Sequence, residues 1–207
     1  LFPSDATAIL HVDAQELRQV LRRVMLFAHP KTSSVVMVVM PDCLSIGADT
    51  PDYGKAIETL PCTYHGDPSG PPYVVGMRAS YLLDTIAALP KGSIAFRAIN
   101  PLNAQEIGPV EPLPDNQVTR HIVMPVRVTG PDVALAQEQA AAVLGDDIRP
   151  TIQESVTHAE RTHTDRRQAQ RDEDAQSKAD THTQEADEEE AVEGEDPDHY
   201  SGGPGPG

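Results

Sequence analysis

The order in which two kinds of periodicity follow one another constrains this chain more than any single residue does. From Asp13 to Ala28 the apolar residues Leu17, Val20, Leu21, Val24 and Ala28 recur at three-and-four spacing, the period of one helix face. Asp13 stands where a side-chain cap is needed, and Glu16 three residues on completes a capping-box pattern. Apolar and β-branched runs bounded by turn residues follow at Ser34 to Met40, Leu44 to Ala48, Lys55 to Tyr64 and Tyr73 to Gly76, which read as strands. A second helix is expected from Ala79 to Leu89, with Leu82, Ile86 and Leu89 inward and a stop at Pro90-Lys91-Gly92. Strand runs then return at Ser93 to Ile99, Ala104 to Val110 and Val118 to Val128. Helix, strands, helix, strands implies an internal two-fold repeat of a helix with a small antiparallel sheet. The expected class is therefore α+β rather than a doubly wound parallel sheet.

That pattern stops at Val128. Residues 1–128 carry 12 acids and 10 bases, a net of −2, whereas the last 79 residues carry 20 acids and 6 bases, a net of −14. A block of this size suffices for one domain core. Residues 129–149 read as a short helix or linker, with Val133, Ala136, Ala140, Val143 and Leu144 on one side of an Ala-rich stretch from Asp132 to Asp147. Residues 150–207 read as a disordered acidic tail, because they offer too little apolar surface to offset the entropy of ordering. Its core, Glu185 to Asp198, is self-repelling, and its expected role is that of a solubilising appendage.

Several chemistries are excluded at this level. No phosphate-cradling Gly-rich loop and no serine nucleophile elbow is present, so the chain is not expected to be an enzyme or to need a cofactor. Four histidines, His158, His163, His182 and His199, fall in the tail, while His11, His29, His65 and His121 lack partners at metal-ligand spacing. No metal site is expected. Cys43 and Cys62 fit no metal spacing and need not pair, so they read as free buried thiols in a reducing cytoplasm. There is no apolar run long enough for a membrane span.

The segments "VDAQELRQVLRRVMLFAHPKTSSVVMVV", "LSIGADTPDYGKAIETLPCTYHG", "VVGMRASYLLDTIAALPKGSIAFRAINPL" and "HIVMPVRV" resemble, in order, successive parts of the third domain of the bacterial β sliding clamp family, the processivity subunit of DNA polymerase III. The resemblance covers residues 1–128. It implies two helices on one face of the domain, lining the central hole of a ring, with antiparallel sheets on the outside. It also implies two further domains upstream, and since the chain opens on Leu1, a fragment is expected. The implied partners are double-stranded DNA met without regard to sequence, polymerase and clamp loader through short linear motifs, and a second copy of the full protein in a homodimeric ring.

Two sets of residues follow. Arg18, Arg22 and Arg23 on the outward face of the first helix, with Lys91 after the second, have the charge to meet DNA phosphates; the second helix itself offers Asp84 and almost no base. The family's peptide pocket beside the C-terminal strand falls, by motif, on Pro3, Thr32, Arg78, Tyr81, Leu102, Ala104, Ile122, Val123, Met124, Pro125, Val126, Arg127 and Val128. Met124 among branched apolar residues suits a surface that adapts to peptides. A clamp-like adaptor that binds such peptides without encircling DNA is the alternative, and an acidic DNA mimic a third reading.

Overall fold

The structure, a computed structural model, describes residues 6–66, 71–114 and 118–192. Its first element is one the periodicity reading passes over: strand β1, Ala8–Asp13, whose residues alternate between buried and partly exposed. Helix α1, Ala14–Val24, follows directly, and the Asp13 carboxylate accepts the N–H groups of Gln15 and Glu16 at 2.9 and 2.8 Å. One 3-10 turn, Met25–Phe27, ends it. Four strands come next: β2 Ser34–Val39, β3 Cys43–Thr50, β4 Gly54–Pro61 and the short β5 Thr63–His65. The pattern then repeats, with β6 Tyr73–Arg78, α2 Ala79–Ala88, β7 Ser93–Ala98, β8 Gln105–Pro109 and β9 His121–Val123.

Each half is thus strand, helix, strands, but each half's first strand also joins the strands of the other half, β1 carrying β5 of its own half at the sheet edge. The two antiparallel sheets run β5-β1-β7-β8-β9 and β4-β3-β2-β6. β1 pairs along its whole length with β7, from Ala8 opposite Ala98 to Asp13 opposite Ser93. β6 leaves the second half to pair with β2, from Ser34 opposite Arg78 to Val39 opposite Tyr73. The internal repeat is therefore real and interlocked.

One core serves both sheets and both helices. Leu17, Leu21 and Val24 of α1 and Leu82 and Ile86 of α2 pack with Met37, Leu44, Ile46, Met77, Ile94, Phe96 and Ile107 from the inner strand faces. Burial of each such side chain contributes roughly 1.5–3 kcal/mol. Cys62 packs against this core and Cys43 against a second one on the other side of the β4-β3-β2-β6 sheet. Both thiols are free and only half-buried, and burial pushes that of Cys62 up to about 12.

The short helix expected after Val128 is present and packs on the second core. Helix α3, Gly130–Leu144, is fixed at its start by a capping box between Thr129 and Asp132. It buries Val133, Leu135, Ala136 and Ala140 against Val36, Val38, Met40 and Val74 on the outer face of that sheet. Val143 and Leu144, expected on its apolar side, are instead exposed at 45% and 48%. Gln139 is fully buried, and its side-chain amide donates to the Val36 carbonyl at 3.2 Å and to Ser45 Oγ at 3.3 Å. Gly47 makes room for it: a Cβ there would lie 3.0 Å from the Gln139 amide. Lys55 Nζ reaches Glu138 Oε1 at 2.7 Å.

The expectation of no structure beyond Pro150 is corrected for the first part of that stretch. Helix α4 runs over Arg149–Val192, and Ile152 and Ala159 are buried at 0% and 8% exposure. The first compact unit runs on past Val128 to His163. The second unit begins at Thr164; in it the backbone stays helical to Val192, and Gln168 donates to Asp172 at 2.9 Å.

Two substitutions test these supports. Asp13→Ala removes the α1 cap and should lower stability by about 1 kcal/mol in urea unfolding. Gly76→Ala should cost more, roughly 1–3 kcal/mol by the same measurement, because its Cβ would meet the Val126 carbonyl oxygen at 2.6 Å.

Candidate functional site

The strand expected to reach Val128 stops at Val123, and the reason is Pro125. Lacking an N–H, it cannot extend the ladder that pairs β9 with β8 from Gln105–Val123 to Ile107–His121. The chain instead crosses from one sheet to the other, and the Val126 N–H donates to the Gly76 carbonyl at 2.8 Å, an isolated bridge on the edge of β6. Residues 124–126 thus span both sheets beside the start of α2, which contacts β9.

Around this crossing the expected pocket residues divide into three groups. Tyr81, Ile122 and Met124 are the open residues, with exposures of 52%, 37% and 61%. Arg78 supports Tyr81: its guanidinium carbon lies 4.9 Å from the ring centroid and Nη1 donates to the hydroxyl at 3.3 Å. Thr32 is exposed in the turn before β2, tied to α2 by the Ala79 N–H donating to the Ser33 carbonyl at 2.8 Å. Ala104 and Pro125 are half-buried and Arg127 is exposed.

One assignment needs correction. Val123 is 6% exposed and belongs to the main core, as strand alternation requires when Ile122 faces out. Val128, 7% exposed, lies in the second core with α3 and also lines the cleft around Leu102. Pro3 falls outside the described residues.

The third group is Leu102, which stands apart from the open residues in a narrow cleft. That cleft is lined by Val74, Gly76, Pro101, Leu102 and Val128 on the domain side and by Val156, Ala159 and Glu160 of α4. Asn100 organises this turn: its Oδ1 accepts the Leu102 N–H at 2.8 Å while its Nδ2 donates to the Ala159 carbonyl at 3.2 Å. His163 Nδ1 sits 3.2 Å from Asn103 Oδ1. Nothing in the composition of the tail signals these contacts. The only trace is Ile152, Val156 and Ala159 at helical spacing in an otherwise polar segment.

The basic residues do not gather into one patch. Arg22 is exposed and Arg18 half-buried, one turn apart on α1. Arg23 points elsewhere, toward β4, where its Nε donates to both carboxylate oxygens of Glu58 at 2.8 and 3.1 Å. The hydrogen bond to Glu58 pushes its guanidinium further up, so Arg23 is already engaged. Lys91 lies at the opposite end of α1, because the neighbouring Gly92 carbonyl accepts the Ala14 N–H at 3.1 Å.

A separate charged cluster, missed in the sequence, occupies the outer face around β8. Glu106 is buried at 2% exposure with Arg97 Nη1 at 3.5 Å and Arg120 Nε at 3.6 Å. In the strand register it sits opposite Ile122. His11 and His65 meet edge to face nearby, 5.0 Å between centroids, and desolvation followed by the charges of His65 and Arg97 lowers the His11 pKa. No helix among the described residues is long and apolar enough to cross a membrane.

Comparison with known proteins places these features. The β sliding clamp of Caulobacter vibrioides is 26% identical over 129 residues, covering 62% of this chain and 32% of its own length. The crystal structure of the DNA polymerase III β subunit of Thermotoga maritima superposes with a TM-score of 0.55 at 22% identity, covering 62% of this chain and 33% of that one. The Bartonella birtlesii sliding clamp bound to griselimycin gives 0.53 at 24% identity, covering 61% and 32%. The chain thus spans about a third of the length of its relatives. The model for the family described as "DNA polymerase III beta subunit, C-terminal domain" matches residues 1–127, and the chain belongs to that family.

Proposed function

We propose that this chain is the part of a DNA sliding clamp that docks partner proteins and supplies one helix-lined section of a ring around duplex DNA. The observation that carries the reading is the exposed trio Tyr81, Ile122 and Met124 at the crossing of the two sheets, in a domain of a clamp family. An exposed methionine and a half-supported tyrosine offer apolar anchorage to short motifs of polymerase and clamp loader. The binding of griselimycin by the Bartonella clamp supports a small-ligand site on this architecture.

Toward DNA, Arg18 and Arg22 supply phosphate contacts that are independent of sequence, with Lys91 adding a charge at the far end of α1. Tight binding at any base is unnecessary, since a closed ring retains DNA by enclosure. A second copy of the full protein completes that ring, and the helices face the duplex. The Arg97–Glu106–Arg120 cluster lies beside Ile122 on the same face of β8 and β9.

Met124→Ala combined with Tyr81→Ala should weaken a fluorescein-labelled clamp-motif peptide by about 2 kcal/mol in anisotropy titrations. The melting temperature should stay nearly constant, as both side chains are more than half exposed. Unchanged affinity in the folded variant would remove the pocket. In the ring of the full-length protein, Arg18→Gln with Arg22→Gln should reduce the slope of log affinity against log salt by about 2. Arg23→Gln should leave that slope in place, because Glu58 holds this side chain; the reverse ranking would sink the assignment.

A further inference from the structure

The cleft that contains Leu102 is walled on one side by a segment that the family match does not include. Residues 1–127 carry the family domain, whereas Val156, Ala159 and Glu160 close the cleft from α4. This part of α4 lies within the same compact unit as the domain. Its apolar residues Ile152, Val156 and Ala159 form a single stripe at i, i+4 and i+7, the spacing of a helix laid in a groove.

We propose that the start of α4, Thr151–His163, is an intramolecular occupant of the Leu102 half of the peptide pocket, and that partner motifs bind fully only when it lifts. The inference rests on the pocket reading above. Two features support it. Among the polar contacts that hold α4 down are single hydrogen bonds: Ser155 Oγ to the Pro72 carbonyl at 3.0 Å, Asn100 to the Ala159 carbonyl, and Asn103 with His163. Such bonds contribute little each and are exchangeable for those of an incoming peptide. The link back to α3 turns at Gly145, with φ of +91°, a conformation that glycine adopts without strain, and is held there by backbone hydrogen bonds from the Gly145 N–H to the Ala141 carbonyl and from the Ile148 N–H to the Gly145 carbonyl. α3 has its own attachment through Gln139 and the Lys55–Glu138 pair, so lifting α4 uncovers Ile152 of the core that the two helices share without undoing those contacts.

The occupant also covers only part of the pocket. Tyr81, Ile122 and Met124 remain exposed, so a motif can make its first contact there and displace α4 as it extends toward Leu102. Binding then competes with a tethered segment at high effective concentration.

The test uses the full chain with Val156→Ser and Ala159→Glu, both on α4, so that every domain residue of the pocket is intact. Griselimycin is titrated calorimetrically into this variant and into the unaltered chain. About tenfold tighter binding by the variant is expected if the open form is a roughly one-in-ten state of the unaltered chain. Equal affinities in a folded variant would overturn the displacement while leaving the pocket reading in place. Binding to neither chain would overturn the pocket and the displacement together. Should the variant fold poorly, hydrogen exchange on the unaltered chain decides. Saturation with griselimycin should speed exchange of the amides of residues 151–163, and unchanged or slower exchange there would overturn the proposal.

Discussion

The exchange of strands between the two halves is the constraint on which the rest of the domain depends. Because β1 is hydrogen-bonded to β7 and β6 to β2, neither half can complete a sheet from its own residues. Both helices then follow from strands that are anchored in the opposite half, and their apolar stripes meet over one shared core. Contacts of such long sequence separation carry a loop-closure cost that local helices do not. The compensation is that the two halves stand or fall together, which holds the crossing at residues 124–126 to fixed edges on both sheets.

Much of this was legible in the sequence, and the misses have physical causes. α1 and α2 announce themselves because one face of each is continuously apolar, and the Asp13 cap follows from elementary donor counting. β1 carries the alternation Ala8, Leu10, Val12, yet six residues ending directly in a helix give a weak signal. In the last strand, Pro125 marks where pairing must end, but only the register tells which of Ile122 and Val123 faces outward. Arg23 cannot be separated from Arg18 and Arg22 by spacing alone, because Glu58, which engages it, is 35 residues away.

The extension shows the opposite case, in which the signal lay in the domain and not in the extension itself. Val35 to Met40 is apolar at every position, and such a run has no face to give to water. The outer cover it calls for is α3. Judged by its own composition, the segment from Thr129 to His163 offers a short Ala-rich helix and then too little apolar surface to order itself. It orders because a ready-made apolar sheet face supplies the surface it lacks, which is the logic of coupled folding and binding within one chain.

The contact between Gly47 and Gln139 ties the domain to its extension at the level of individual side chains. With 3.0 Å from a would-be Cβ to the Gln139 amide, a side chain at 47 would press on Gln139, so the two positions are expected to couple. Substitutions at one will be read differently depending on the other. A mutational history of this protein would therefore show residue 47, deep in a strand of the family domain, drifting in step with a helix that the family domain does not contain.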